Sequence, residues 1–245
     1  MVMASKQARL VKPPFSLSQV VVDKLIELQR RGIEYDGFIK GDNIYDIRTG
    51  DGNSVQPDIA PSRVKERGYE YDFHTHPRSG ASMPDLPKKI ALKEKKCSEE
   101  LERVRDETAS PNDVMFAAQY RALLDKGNNK WKSLIIAPDS IIRYYRESPN
   151  KYEEFKEREG RKRGKDIKGI NITEDEILDA MNDKWQFIDN SLRSKIYEKQ
   201  DFSVCGDRDR IVDRKRQWYN FLGTIGMNID EAPISFSGGK ERRGK

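Results

Sequence analysis

Apolar residues in this chain gather into short runs whose spacing switches between three-or-four and two. That alternation restricts the available folds more than any other feature. Ser16 or Ser18 starts an amphipathic helix that carries Val20, Val21, Leu25, Ile26 and Leu28 and stops at Gly32. A strand with Glu34 at its start follows, then a second from Asn43 to Arg48 ahead of the Gly50-Asp51-Gly52-Asn53 turn. Tyr69 to His76 reads as a third strand. Next comes a helix over Val114 to Asp125, with Ser110 at its N-cap, Pro111 at its first position and Asp113 in its first turn. Ser133 to Ala137 and Ser140 to Tyr145 then flank Pro138-Asp139 as a hairpin. The order predicts an α+β domain over residues 15–147, a mixed and largely antiparallel sheet flanked by helices.

Composition shifts past Tyr145. Residues 148–168, with Arg161-Lys162-Arg163-Gly164-Lys165, predict a charged linker, and 169–235 a helical C-terminal region. Within that region Thr173 and Glu176 form a capping box for a helix reaching about Lys199. A further helix spans about Asp207 to Leu222, its Ile211, Val212, Trp218, Tyr219, Phe221 and Leu222 available for packing. Residues 236–245, including Gly238-Gly239, predict a flexible tail. Apolar and charged residues each make up 36% of the chain, which means a modest core under a highly charged surface. No run approaches the roughly 20 apolar residues of a membrane span, and the opening residues lack the apolar stretch of a secretory signal. Cys97 and Cys205 show no paired spacing and read as thiols of a reducing compartment, so a cytoplasmic location is expected.

The only histidines, His74 and His76, stand two apart in a predicted strand, so both rings leave the same face and can grip one metal ion. With no third imidazole, further ligands must be carboxylate, thiolate or water. Hydrolases built on four or five histidines are excluded, as are deaminases with His-x-Glu and Pro-Cys-x-x-Cys. Taken singly, the neighbouring pieces have plain explanations: Ser110 and Asp113 cap a helix, and Glu34 is a solvated carboxylate on a strand.

In chain order, Glu34-x-x-Gly37-x-Ile39-x-Gly41, His74-x-His76-Pro77 and Ser110-x-x-Asp113 resemble the JAMM signature of the MPN-plus zinc metalloproteases. The resemblance covers about residues 15 to 147 and implies an MPN-like fold around one zinc ion. By that resemblance His74, His76 and Asp113 are the metal ligands, Glu34 is the general base and then acid, and Ser110 donates a hydrogen bond to the oxyanion. The substrates it implies are peptide or isopeptide bonds following the Gly-Gly terminus of ubiquitin or a ubiquitin-like protein. One departure is plain. The family sets its serine closer behind the second histidine, whereas here an insertion at 78–109 intervenes, its Lys88 to Thr108 portion reading as a charged helix or helical hairpin. A nearer Ser82-x-x-Asp85 offers Asp85 as an alternative third ligand. Asp113 is preferred because a long amphipathic helix starts beside it, while Pro84 and Pro87 bracket Asp85.

A rival reading comes from charge. The net charge of +5 and the basic clusters at Arg161 to Lys165 and Arg208 to Arg216 suit a nucleic-acid-binding module or a scaffold of the same fold without proteolysis. Against the first, Asp207, Asp209 and Asp213 interleave the second cluster and favour a solvated face. Against the second, the full set of Glu34, both histidines, Ser110 and Asp113 is present.

Overall fold

The computed structural model describes residues 8–10, 15–50, 61–76, 108–125, 130–164, 172–193 and 208–236. Asp85, Cys97, Cys205, residues 78–107 of the expected insertion and the tail from 237 lie outside them. In chain order the elements are β1 (Ala8–Leu10), α1 (Gln19–Arg30), β2 (Tyr35–Lys40), β3 (Asn43–Thr49), α2 (Pro61–Arg67), β4 (Tyr71–Thr75) and α3 (Pro111–Gln119). After a 3-10 turn at Arg121–Leu124 come β5 (Lys132–Ile136), β6 (Ser140–Arg146), α4 (Pro149–Lys162), α5 (Glu174–Arg193), α6 (Arg208–Thr224) and β7 (Met227–Phe236). The strands form a seven-stranded sheet in the order β1-β7-β6-β5-β4-β2-β3. It is mixed: β2 is antiparallel to both β3 and β4, β1 is antiparallel to β7, and β4 runs parallel to β5. The α+β class expected from the order of runs is therefore observed. No helix among the described residues is long and apolar enough to cross a membrane.

Two compact units divide the chain. The first takes Met1–Pro77, Lys132–Arg143 and Asp230–Lys245. Its core joins Phe15 and one side of α1 (Val21, Leu25, Leu28) to Tyr35, Ile39, Phe73, Leu134, Ile136, Ile141 and Ala232. Burying each large apolar side chain contributes about 1.5–3 kcal/mol. Ser18 caps α1, its hydroxyl accepting from the Val21 N–H at 3.4 Å. Val20, expected on the inward stripe, instead faces out, and Val22 and Gln29 are buried. Lys40 pairs with Asn43, so Gly41 and Asp42 make a two-residue hairpin, and Gly41 takes the positive φ of +54° that such a turn needs. Gly37 serves close approach. A Cβ there would lie 2.8 Å from the Phe73 ring and 2.9 Å from the Tyr45 carbonyl oxygen. Helix α2, which periodicity did not reveal, is a short turn anchored by fully buried Val64.

The second unit takes Arg78–Trp131 and Tyr144–Ile229. Here three expectations are corrected. The stretch 148–168 is not a linker over its first part: Ser148 caps α4, Pro149 occupies the first turn, and Tyr152, Phe155 and Gly160 are buried on one side. Its charges occupy the other side, which is why composition alone suggested solvated chain. The helix expected to run to Asp125 starts behind its Ser110 cap at Pro111, as the capping signals predict, but ends at Gln119. It tightens into the 3-10 turn, and the Asp125 carboxylate then accepts from the Trp131 N–H at 2.8 Å. The C-terminal region is not wholly helical: α5 and α6 match the two predicted helices, and β7 then enters the sheet between β1 and β6. The sheet is thus not confined to 15–147.

Packing in this unit centres on aromatic side chains. Trp218, fully buried, stacks on Phe221 with centroids 5.5 Å apart and meets Trp185 edge-on at 5.1 Å. Phe221 in turn meets Phe155 of α4 edge-on. Helix α3 packs against α5, and the Gln119 amide donates to the Tyr152 hydroxyl at 3.1 Å.

Candidate metal centre

Strand β4 ends where the histidines begin to matter. The antiparallel ladder with β2 aligns Asp36 with His74, Gly37 with Phe73, Phe38 with Asp72 and Ile39 with Tyr71. Alternation sends Phe73 and Thr75 toward the α1 side and Asp72 and His74 to the opposite face. His76 lies just past the strand but keeps its pairing partner. Its N–H donates to the Ile136 carbonyl at 3.0 Å, extending the β4–β5 ladder, and its own carbonyl accepts from the buried Gln29 amide at 3.2 Å. Held this way, the two rings bring His74 Nε2 and His76 Nε2 to 3.0 Å, with their planes inclined at 51°.

Thr75, between them, points the other way and is fully buried. Its Oγ1 accepts from the Tyr35 N–H at 2.8 Å, and its O–H donates to the Ile33 carbonyl at 3.3 Å. Glu34, which lies just before β2, is therefore clamped on both sides by one hydroxyl, and its carbonyl also accepts from the Gly50 N–H at 2.9 Å. The Glu34 side chain is half-buried.

Ser110 and Asp113 form a capping box at the start of α3. The Asp113 carboxylate Oδ2 accepts from the Ser110 N–H at 2.7 Å, and Ser110 Oγ accepts from the Asp113 N–H at 3.3 Å. The plain reading of these residues as a cap is thus correct, and it does not exhaust them. A carboxylate accepts at two oxygens, and a hydroxyl that accepts still has its own proton to donate. The carbonyl of Ala109, immediately before the cap, accepts from the Trp218 indole N–H at 2.8 Å. Helix α6 therefore fixes the backbone from which Ser110 projects.

One ligand atom from each of His74, His76 and Asp113 lies within 4.8 Å of the others. The trio could hold a metal ion. Two bonds of about 2.0–2.1 Å to imidazole nitrogen span up to roughly 4 Å, so nitrogens 3.0 Å apart can share one ion. Two imidazoles with one carboxylate suit a transition metal such as zinc better than magnesium or calcium, which prefer all-oxygen shells. Of the predicted site residues, His74, His76 and Asp113 converge, and Ser110 is bonded to Asp113 through the cap. Glu34 is anchored by the residue between the histidines.

Residues that the sequence did not flag are Gln29, Thr75 and Trp218, each holding the backbone of a predicted site residue or of its neighbour, and Asp36, which faces His74. Their bonds join positions 40 to 109 residues apart, so no local pattern could have announced them. No known protein family, curated protein or solved structure matches this chain.

Proposed function

We propose that the chain is a zinc-dependent metallopeptidase that hydrolyses peptide or isopeptide bonds, its substrates being bonds that follow the Gly-Gly terminus of a ubiquitin-like modifier. The observation that carries this reading is the convergence of His74, His76 and Asp113, drawn from separate parts of the motif, on one point. These three would hold the ion, and three protein ligands with one position left open are the hallmark of a catalytic zinc. When bound, zinc polarises a substrate carbonyl and lowers the pKa of a coordinated water toward about 7. Glu34 takes the proton of the attacking water and later delivers it to the departing amine, acting as base and then acid. Ser110 donates its hydroxyl proton toward the carbonyl oxygen as negative charge develops there, a contribution of about 3 kcal/mol for one such donor. The N–H of Asp113 occupies a lone pair of that hydroxyl and so orients it.

Metal analysis of the purified full chain tests the ligands. The parent should carry about one zinc per chain, and His76→Ala and Asp113→Ala should each retain far less, because losing one of three protein ligands opens the site. Glu34→Gln should keep its zinc and lose cleavage of a Gly-Gly-linked ubiquitin-like conjugate. A zinc-free parent, or full activity in Glu34→Gln, overturns the proposal. Zinc retained in Asp113→Ala but lost in Asp85→Ala would transfer the third ligand to the nearer carboxylate.

A further inference from the structure

Resting on the metal-centre reading above, we infer that Asp36 is a positioning residue for the centre: its buried carboxylate accepts the Nδ1–H of His74 and presents Nε2 to the ion. Nothing in the motif assigns this residue. Asp36 is the direct cross-strand partner of His74 in the antiparallel β2–β4 ladder, so the two side chains leave the same face. Directly opposed residues have Cβ atoms about 4.5–5.5 Å apart, within the combined reach of a short carboxylate and the near edge of an imidazole.

His74 turns Nε2 toward His76 Nε2 at 3.0 Å, so Nε2 is its ligating nitrogen. Nδ1 then lies on the near edge of the ring, next to the β-carbon and on the level of the cross-strand neighbour. A neutral imidazole that gives one nitrogen to a metal carries its proton on the other, and that proton must have an acceptor.

Asp36 is 4% exposed and Asp72, on the same face, 6%. A buried carboxylate needs donors. For Asp72 one is the Ser133 hydroxyl, 2.8 Å from Oδ1 and contributed by its partner in the parallel ladder with β5. The partner of His74 in that same ladder is Ile135, which offers no polar side chain. Of the two residues flanking His74 across the strands, Asp36 alone can take its proton. Metal-bound histidines commonly donate their second N–H to such an acceptor, which fixes the tautomer and raises the basicity of the ligating nitrogen.

Zinc affinity and imidazole resonances test this together. In chelator competition on the full chain, Asp36→Asn and Asp36→Leu should bind zinc about 10- to 100-fold more weakly than the parent, with the metal-free thermal unfolding of Asp36→Asn close to the parent's. With only two histidines, ¹⁵N-edited spectra of the rings are assignable by His76→Ala. The zinc-loaded parent should show His74 protonated at Nδ1, with the Nδ1–H signal far downfield and broadened by solvent exchange in Asp36→Leu. Parent-like zinc affinity in both variants overturns the inference and leaves the metal centre standing. A parent that binds no zinc removes both. Should the variants fail to fold, the parent spectrum still decides, since a His74 ring bearing no proton at Nδ1 is incompatible with the proposed bond.

Discussion

Thr75 separates the two imidazoles in sequence, yet its own side chain belongs to the opposite face, where it ties β4 to the segment carrying Glu34. Thr75→Val keeps the shape and removes the hydroxyl, leaving the Tyr35 N–H and the Ile33 carbonyl without their side-chain partner. Each such loss in a buried setting costs about 1–3 kcal/mol, so Thr75→Val should lower the unfolding free energy by about 2 kcal/mol or more in a urea titration. Thr75→Ser should recover most of it. The same pair separates structure from chemistry: with its clamp gone, Glu34 moves relative to the rings, so Thr75→Val should lose the proposed peptidase turnover while its zinc affinity stays near the parent's. At this scale the sequence was informative for residues that follow a local rule. The histidines share a face because strands repeat every two residues, and Ser110 and Asp113 adopt the capping geometry that their spacing predicts. Gln29, Thr75, Asp36 and Trp218 follow no local rule. A buried glutamine on a helix or a threonine in a strand looks the same before and after the chain brings it to a distant carbonyl.

Helix α6 reaches the residue before the Ser110 cap through the Trp218 indole. Trp218→Phe preserves most of the aromatic contact with Trp185 and Phe221 but deletes the donor to the Ala109 carbonyl. The expected cost is about 1–3 kcal/mol, together with faster amide exchange across the first turn of α3, measured against unchanged exchange in β4. Helix α4 carries a pH signature of its own. Burial pushes the Tyr152 hydroxyl up to about 12, with the Gln119 hydrogen bond pulling the other way, from an ordinary value of 10.0. Because the folded value is the higher, the stability it contributes is complete below pH 10 and drains away as the pH climbs from there toward 12. Tyr152→Phe should flatten that alkaline limb in unfolding titrations between pH 8 and 12. Helix α4 and strand β7 are elements that local composition conceals. In α4 the Ser148-Pro149 start signal was present, but Lys and Glu outnumber the apolar positions, and two buried aromatics suffice to hold the helix down. In β7, Asp230, Glu231, Ala232 and Pro233 are residues that strands avoid. Pro233 lies one residue before Ile234, the first β7 residue with a described partner in β1.

For the molecule as a whole, an ion held by residues from distant parts of the chain is a staple, and its binding energy is linked to folding. Zinc at about a hundred times its dissociation constant stabilises a folded protein by about 2.7 kcal/mol, which for a chain of this size corresponds to roughly 5–10 °C in Tm. Calorimetry should show that rise on adding zinc, its reversal by a chelator, and no rise in Asp113→Ala. The helix-and-strand order of residues 15–147 was legible because each run is bounded by its own punctuation, whereas sheet membership was not, since β1 and β7 find their places through partners at the far end of the chain. Ala8 is paired with Phe236. On the ribosome β1 must therefore wait for β7. Until β7 emerges, the flank of β6 is an open template on which a neighbouring nascent chain can dock. Translation stalled or truncated after α6 would release polypeptide that already carries both imidazoles and the capping carboxylate but leaves β6 without β7 beside it.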